Sequence, residues 1–370
     1  MGGNEGYEWW FAGIRPLSDK KKKLLREIYG SGKEIYKNLY NIEEKHSHRL
    51  KWLTSKDIQA IGHAARTQDI IRQYEEAMEQ GIRFVPYYAK EYPRKLSGLD
   101  GMPYALYVKG KLPDEERPAV AIVGARRCTP YGEEMAIVFA EKLALAGVQI
   151  ISGMANGIDG AAQRAAIGAG GQSFGVLGCG IDVCYPRENK GLYGDLQVHG
   201  GIMSEQPMGA PPLREYFPAR NRIISGLSDL VLVMEAKERS GSLITADLAL
   251  EQGKDIYALP GPVTSELSRG CHALIRQGAG ILISPEMLLE DMGIESLCFT
   301  DEKDDEGEKN KKKLESKEKL VYASIGLFPK NLNTLLAETK LPTAELMRIL
   351  VSLEIKGYIR ELSKNYFIKA

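Results

Sequence analysis

Residues 119–152 read AVAIVGARRCTPYGEEMAIVFAEKLALAGVQIIS, which is a short apolar run, a segment of helical period and a second apolar run. The two apolar runs, 119–123 and 149–152, show no regular alternation of apolar and polar residues. Such runs are typical of strands buried on both faces, as in a parallel sheet covered by helices. The segment therefore predicts a strand, a crossover helix and a parallel strand.

The same pattern continues to about residue 293. The further predicted strands are 174–177, 201–204, 230–235, 255–259 and 280–283, and the predicted helices are 132–146, 160–168, 219–225 and 243–252. Strands that alternate with helices in this way predict an α/β fold with a doubly wound parallel sheet. The chain holds 39 glycines, where average usage predicts roughly 26. Most of them lie in this region, which indicates many tight turns.

The flanking regions have other patterns. Residues 1–80 are polar, with apolar pairs at helical spacing around Gly30-Ser31-Gly32, which predicts a small helical domain of the SAM or helix-hairpin-helix kind. The glycine turn suits either a hairpin that binds a nucleic-acid backbone or a plain helical cap. The segment 299–318 is almost entirely charged, so a flexible linker is predicted between a sheet domain at 81–298 and the C-terminal residues. Residues 319–370 read as three helices and a β-ribbon, which predicts a winged-helix-like domain that binds either duplex DNA or protein.

Composition excludes several classes of protein. Lysine plus arginine and aspartate plus glutamate both total 49, so a histone-like protein held to nucleic acid by bulk charge is excluded, although a local basic groove is not. The five cysteines form no C-x-x-C pair, which favours buried thiols over disulfides or a zinc site. Without a signal-peptide pattern or an apolar run of about 18 residues, the sequence predicts a cytoplasmic protein that does not contact the membrane.

Motifs for catalysis are missing from the sequence. The run GQSFG at 171–175 matches G-x-S-x-G, but its serine enters a predicted strand rather than a strand-to-helix turn, so the match is by chance. The sequence has no P-loop, no complete G-x-G-x-x-G after Gly178 and no H-E-x-x-H. We therefore expect no catalytic residue, no metal and no cofactor.

Glycines, arginines and hydroxyl residues instead follow the predicted strands. The segments concerned are 124–126, 152–157, 178–190, 218–222 and 240–245. Because the carboxyl ends of parallel strands meet at one edge of a sheet, where helix N-termini present free N–H groups, these segments together predict a phosphate-binding edge. Taken singly, each could be a turn glycine, a capping serine or a surface arginine. Tyr185, Tyr193 and Phe217 lie beside the basic segments and could stack on bases, although buried packing suits Phe217 equally well.

At these residues the sequence closely resembles the DNA-processing protein A (DprA/Smf) family. The matching stretches are 103–110, 124–132, 151–166, 178–192, 217–228, 240–246 and 274–279. The resemblance covers about residues 85–293 strongly and the C-terminal domain moderately. It implies an extended Rossmann-like domain that binds single-stranded DNA during natural transformation. It also implies a protein that protects incoming strands and loads a RecA-type recombinase, usually as a homodimer.

The resemblance assigns DNA contacts residue by residue. The positions are Gly124, Arg126, Gly153, Asn189, Lys190, Arg220, Asn221, Arg222, Gly241, Ser242 and Thr245. Three positions depart from the family pattern, where Ala125 replaces a serine, Gln163 a histidine and His272 an asparagine.

The competing class is an enzyme, a nucleotide phosphoribohydrolase of the lysine-decarboxylase-like group, which has a similar sheet. That group carries a P-G-G-x-G-T-x-x-E run whose glutamate does the chemistry. The corresponding edge here, residues 238–245, reads ERSGSLIT and lacks that run. The sequence therefore favours binding over catalysis.

Overall fold

The protein is described from a computed structural model covering residues 3–15, 17–43, 50–67, 69–294, 316–325, 330–363 and 365–369. The chain divides into two compact units, Met1–Ser296 and Leu297–Ala370. None of the helices within these described ranges is long and apolar enough to cross a membrane.

The first unit begins with a helical layer. Its helices are α1 (Gly3–Gly13), α2 (Asp19–Tyr29), α3 (Gly32–Lys37), α4 (Leu39–Glu43), α5 (Ser55–Thr67) and α6 (Ile70–Glu79). Gly30 ends α2 with a φ of 85°, and Ser31 caps α3 by accepting the N–H of Glu34. A Cβ on Gly32 would lie 2.6 Å from the backbone oxygen of Tyr7, so α3 packs closely on α1. The Gly32 N–H donates to Glu8 Oε1 at 2.9 Å, so this backbone N–H already has its partner inside the helical layer.

A nine-stranded sheet follows. Its strands are β1 (Arg83–Pro86), β2 (Ala105–Gly110), β3 (Ala119–Val123), β4 (Gln149–Ser152), β5 (Ser173–Leu177), β6 (Gly200–Ser204), β7 (Leu230–Val233), β8 (Asp255–Ala258) and β9 (Gly280–Ile281). The spatial order is β1-β2-β6-β5-β4-β3-β7-β8-β9. In this spatial order the seven strands β6, β5, β4, β3, β7, β8 and β9 run parallel to one another. At the edge, β2 pairs with β6, and β1 pairs with β2, in antiparallel fashion. The chain runs outward from β3 to β6 and then returns to the other side of β3 as β7, which creates a topological switch point.

Helices cover both faces of this sheet. They are α7 (Pro130–Leu145), α8 (Ile158–Gly168), α9 (Lys190–His199), α10 (Tyr216–Leu227), α11 (Gly241–Glu251), α12 (Arg269–Arg276) and α13 (Pro285–Asp291). Strand β3 has no alternation of apolar and polar residues because both of its faces are buried. Ala121 and Val123 pack into the layer with α10 and α11, while Val120 and Ile122 pack into the opposite layer with α7 and α8. The predicted doubly wound α/β fold is confirmed.

The antiparallel strands β1 and β2 were not predicted. Strand β2 is buried on both faces, with Leu106 and Val108 in one core layer and Tyr107 in another. The short run between Pro103 and Gly110 does not show locally which strand it will pair with. Its pairing with β6 is a contact between residues far apart in the sequence.

The second unit is built from α14 (Ser316–Ser324), β10 (Lys330–Asn331), α15 (Leu332–Thr339), α16 (Thr343–Ile355), β11 (Ile359–Ser363) and β12 (Tyr366–Lys369). The strands are ordered β10-β12-β11, and Val321, Leu335, Leu346, Leu350 and Phe367 belong to the core. Helix α14 begins inside the predicted linker, because buried Glu318 accepts hydrogen bonds from Ser352 at 2.7 Å and Lys356 at 2.5 Å. Residues 299–315 of that predicted linker lie outside the described residues.

Candidate functional site

A cleft of about 1000 Å³ lies at the carboxyl ends of β3 and β7, at the switch point of the sheet. The turn after β3 and the first turns of α10 and α11 form its walls. The predicted site residues that line it are Gly124, Arg126, Arg220, Asn221, Gly241, Ser242 and Thr245. The sheet therefore brings together residues that lie more than 100 positions apart in the sequence.

Arg126 supplies an exposed positive charge at this cleft. Its Cζ lies 5.4 Å from the centroid of the Phe217 ring, and no other described residue gives it an ion pair or a hydrogen bond. The Phe217 ring in turn contacts the Tyr185 ring, with the two centroids 5.5 Å apart. A cation and two aromatic rings thus line the same wall, and base stacking on Tyr185 and Phe217 stays a prediction. The third aromatic candidate, Tyr193, donates its hydroxyl to the carbonyl of Ile181 at 2.6 Å and packs in a core cluster.

The turn after β3 rests directly on the start of α8. A Cβ on Gly124 would lie 2.6 Å from Cγ1 of Ile158. Gly157, which precedes α8, has a φ of 76°, and a Cβ there would lie 2.3 Å from the carbonyl oxygen of Ala125. At Gly157 only glycine fits without movement of the backbone, and at Gly124 a larger residue would displace the Ile158 side chain. Their role is to set the path of the turn that carries Arg126.

Helix α11 points its N-terminus into the cleft. No side chain caps its first turn at Ser240, whose hydroxyl instead lies 2.6 Å from the hydroxyl of Ser242. The first N–H groups of a helix lack intrahelical partners and carry the positive end of the helix dipole. This end of α11 is therefore suited to a phosphate.

Arg220 lies beneath the cleft surface. Only 4% of the residue is exposed. Its Nη1 donates to the carbonyl oxygens of Gly153, at 2.9 Å, and of Val176. Burial lowers the pKa of this guanidinium to about 10, so it stays cationic at neutral pH. Asn221 continues the network, since its amide donates to the carbonyl of Gly241 at 3.2 Å. Arg220 thus ties the ends of two strands together and adds positive potential from below.

Four predicted residues lie outside the lining of the cleft. A Cβ on Gly153 would lie 2.5 Å from Nη2 of Arg220, so this glycine makes room for the arginine. Asn189 is buried and donates to the carbonyl of Met154 at 2.9 Å. Lys190 is exposed at the start of α9. The Arg222 guanidinium donates a hydrogen bond from Nη1 to Oε1 of Glu205 at 3.0 Å. It donates another from Nε to the carbonyl oxygen of Gly101 at 2.8 Å.

The cleft also holds charged residues that sequence reasoning did not select. Arg214 and Arg239 are exposed on its lining, together with the acids Glu238 and Asp247. Arg239 directly precedes the matched segment 240–246, whereas Arg214 lies in a proline-rich loop with no periodic signal. Asp159 is buried in the lining, and burial raises the pKa of its carboxyl.

Three other residues of interest have internal partners. Gln163, at a position where the family pattern has histidine, accepts the N–H of Met154 at 3.0 Å and donates to the carbonyl of Phe174 at 3.0 Å. His272 lies 3.0 Å from the carbonyl of Gly261. Ser173 of the GQSFG run is buried in β5 and donates to the carbonyl of Ile150 at 2.9 Å. That serine is not positioned as a nucleophile.

The lysine run at the start of α2 is also occupied inside the protein. Lys21 pairs with Asp57 at 2.5 Å, Lys22 donates to the carbonyl of Ala12 at 2.5 Å, and Lys23 donates to the carbonyl of Met102 at 2.8 Å. Lys21 and Lys22 connect α2 to α5 and α1 within the helical layer, and Lys23 connects α2 to the segment before β2. Lys20 is exposed, so at most one lysine of this run is free at the surface.

Comparison with protein families places the chain among DNA-recombination proteins. A family model described as DNA recombination-mediator protein A matches residues 83–293, which is more than half of the chain. A second model, described as DprA winged helix domain, matches residues 307–364.

Two named relatives match the same part of the chain. Protein Smf of Escherichia coli is 46% identical over 209 residues, which cover 56% of this chain and 56% of the relative. The DNA processing protein DprA of Streptococcus pneumoniae is 44% identical over 204 residues, which cover 54% of this chain and 71% of the relative. The match therefore spans little more than half the length of the Escherichia coli protein.

Two solved structures share the fold. An X-ray structure of DprA from Streptococcus pneumoniae has a TM-score of 0.66 at 33% identity and covers 77% of this chain and 97% of its own. A structure of DNA processing protein A from Helicobacter pylori, which was studied for its single-stranded DNA binding mode, has a TM-score of 0.52 at 30% identity. It covers 57% of this chain and 95% of its own.

Proposed function

The chain belongs to the DNA recombination-mediator protein A family, and from this premise we propose that it binds single-stranded DNA in the cleft at the switch point and does not alter it chemically. The observation that carries the proposal is the wall formed by Arg126, Phe217 and Tyr185. An arginine beside two contacting aromatic rings, tilted by 45° to each other, suits a strand whose bases are unpaired. In a duplex the base faces are already stacked on one another.

The electrostatics of the cleft support the same proposal. The exposed arginines at 126, 214 and 239 and the N-terminus of α11 would contact phosphates, and Arg220 would add positive potential from below. The formal net charge of the chain is zero, so the attraction to DNA is local to the cleft. Such contacts do not read base identity, so binding is expected to be tolerant of sequence.

The wider role follows from the family. We propose that the protein acts in the cytoplasm during natural transformation, protects incoming single strands, and loads a RecA-type recombinase onto them as a homodimer. Analytical ultracentrifugation would test the dimer. Recombinase filament assembly on strands already coated by this protein would test the loading step, and unchanged assembly kinetics would contradict it.

The central experiment is a titration of a labelled single-stranded oligonucleotide and of its duplex with the full chain. Single-stranded DNA should bind at least tenfold more tightly, and a nucleoside monophosphate should compete weakly. Equal affinities would overturn the proposal. The same samples are analysed chromatographically, because release of free base would instead support the phosphoribohydrolase alternative.

A further inference from the structure

Two consecutive aromatic residues open α10, and each carries an arginine over its ring. Arg126 lies over Phe217 inside the cleft, with Cζ 5.4 Å from the ring centroid. Arg15 lies over Tyr216, with Cζ 4.3 Å from the ring centroid. Tyr216 is not part of the cleft lining, so the second pair lies just beyond it. The two arginines come from different parts of the fold, since Arg15 belongs to the connection between α1 and α2.

Among the described residues, Arg15 has no acidic partner. It is exposed, and within the described ranges no carboxylate lies within ion-pair distance of it. Asp19, the first residue of α2, already lies 3.6 Å from Lys22 and 3.9 Å from Arg222. The positive charge of Arg15 therefore stays available to a ligand.

A second cation–π pair in the helical layer shows what a purely structural contact looks like. Arg26 lies over Tyr88, with Cζ 3.6 Å from the ring centroid, and its Nε also lies 3.4 Å from Oε1 of buried Glu8. That arginine is half-buried and is paired with an acid. Arg15 differs on both counts, because it is exposed and unpaired among the described residues.

We propose that the DNA path continues out of the cleft over Tyr216 and Arg15, so that the N-terminal helical layer contributes a second phosphate and base contact to the same strand. This inference rests on the proposed function. In each pair the guanidinium covers one face of the ring, so a base would stack on the guanidinium plane or on the other ring face, and the positive charge would contact a phosphate. Stacking surfaces next to cations are the combination that holds single strands without sequence preference.

The test uses thymidine oligonucleotides of increasing length, from about 4 to about 20 nucleotides, a range that brackets common single-strand site sizes. Short oligonucleotides fill only the cleft and should bind Arg15→Ala and Tyr216→Ala as they bind the wild type. Longer ones should bind these variants about fivefold or more weakly. For Arg15→Ala, the log-log salt slope with long oligonucleotides should fall by about 0.7.

The conservative variants should recover the long-strand affinity, since Arg15→Lys keeps the charge and Tyr216→Phe keeps the ring. Lys142→Ala is the control, because this exposed lysine lies in the last turn of α7, at the far end of the sheet. An equal loss at every length together with a lower Tm would overturn the proposal and make the pair a structural latch. Wild-type affinity at every length would overturn it as well.

Arg126→Ala separates this inference from the proposed function. If Arg126→Ala weakens binding at all lengths while Arg15→Ala has no effect at any length, the cleft stands and the extension fails. If Arg126→Ala also binds every oligonucleotide like the wild type, the proposed function itself fails.

Discussion

Arg220 donates a hydrogen bond from Nη1 to the carbonyl oxygen of Gly153 at 2.9 Å, so two residues predicted to contact DNA are in contact with each other. The guanidinium fills the space over a glycine whose Cβ would lie 2.5 Å from Nη2. In this position Arg220 connects α10 to the end of β4. Its side chain supports the cleft from below and adds a positive charge to it.

We therefore expect Arg220→Ala to act first on stability. The substitution leaves the strand-end carbonyls without their donor and removes the cation whose charge favours the ionised form of buried Asp159. Breaking a buried ionic network of this kind costs about 3–5 kcal/mol. Urea denaturation should show that loss, and the salt slope of the remaining folded protein should match the wild type. A fully stable variant that fails to bind DNA would contradict this role.

Arg126→Ala should behave in the opposite way. Its side chain is exposed and free of ion pairs among the described residues, so Tm should not change. Affinity should fall for all oligonucleotide sequences alike, because phosphate contacts carry no base information. The log-log salt slope should fall by about 0.7.

Arg187→Ala is the matched control for that experiment, since Arg187 is exposed but does not line the cleft. It should keep both the affinity and the slope. If Arg126→Ala lowers Tm while keeping the wild-type slope, Arg126 holds the turn and does not contact phosphate.

The difference between Arg220 and Arg222 shows what the sequence could and could not predict. The doubly wound sheet was predictable because short apolar runs without alternation are typical of strands buried on both faces. Strands β3 and β4 match their predicted bounds. The site segments were predictable because the carboxyl ends of parallel strands meet at one edge. Whether Arg220 or Arg222 faces the cleft was not predictable from the sequence, because it depends on how α10 is rotated about its axis against the sheet. Helical geometry does limit the choice, since residues two apart on a helix do not share a face.

The lysine run of α2 predicts a dependence of stability on pH. Burial alone would raise the pKa of the Asp57 carboxyl, but hydrogen bonds from Lys21 and Thr54 outweigh it and lower that pKa. Because the folded-state pKa is depressed, the stabilisation is present above the unfolded pKa of about 3.9 and is lost as pH falls through the folded value. The free energy of unfolding should therefore decline below about pH 4.

Asp57→Asn tests this directly, because the amide keeps an acceptor for Thr54 but no charge for Lys21. At pH 7 the variant should be less stable by about 1.5–3 kcal/mol, the range for hydrogen bonds to charged groups. Its stability should also vary less than that of the wild type below pH 4. Parallel curves for the two proteins would mean that another acid controls the transition.

The winged-helix unit is expected to bind duplex DNA weakly. The exposed face of α16 presents Met347, Val351 and Ile355, with Arg348 as the exposed cation beside them. Three lysines of the unit are paired with glutamates, in Lys317–Glu345 at 2.5 Å, Lys330–Glu338 at 2.7 Å and Lys356–Glu318 at 2.5 Å, while Lys319 and Lys340, which lie outside α16, are exposed. A helix that reads the major groove needs basic and polar side chains on that face.

Arg348→Ala in the full chain should consequently change duplex affinity less than twofold at low salt, measured by anisotropy. A large loss of duplex binding, with single-strand binding intact, would show that α16 contacts DNA despite its apolar face.

Phe217→Ala should show how much base stacking contributes to the DNA affinity, separately from the contribution of charge. The ring contacts both Tyr185 and Arg126, with centroid distances of 5.5 Å to the Tyr185 ring and 5.4 Å to Arg126 Cζ. Removal of one stacking ring typically costs about 1–3 kcal/mol of single-strand affinity. The salt slope should stay at the wild-type value, because no phosphate contact is removed. This is the reverse of the result expected for Arg126→Ala, where the slope changes.

The ring also packs on Gly178, where a Cβ would lie 2.9 Å from Cδ1 of Phe217, so stability needs its own measurement. Phe217→Trp keeps an aromatic face and should retain most of the affinity if Tm is close to that of the wild type. If the ring only packs against the turn, Phe217→Ala should lower Tm and leave the affinity of the folded fraction unchanged. A lower affinity at unchanged slope, recovered by tryptophan, is the result that places a base on this ring.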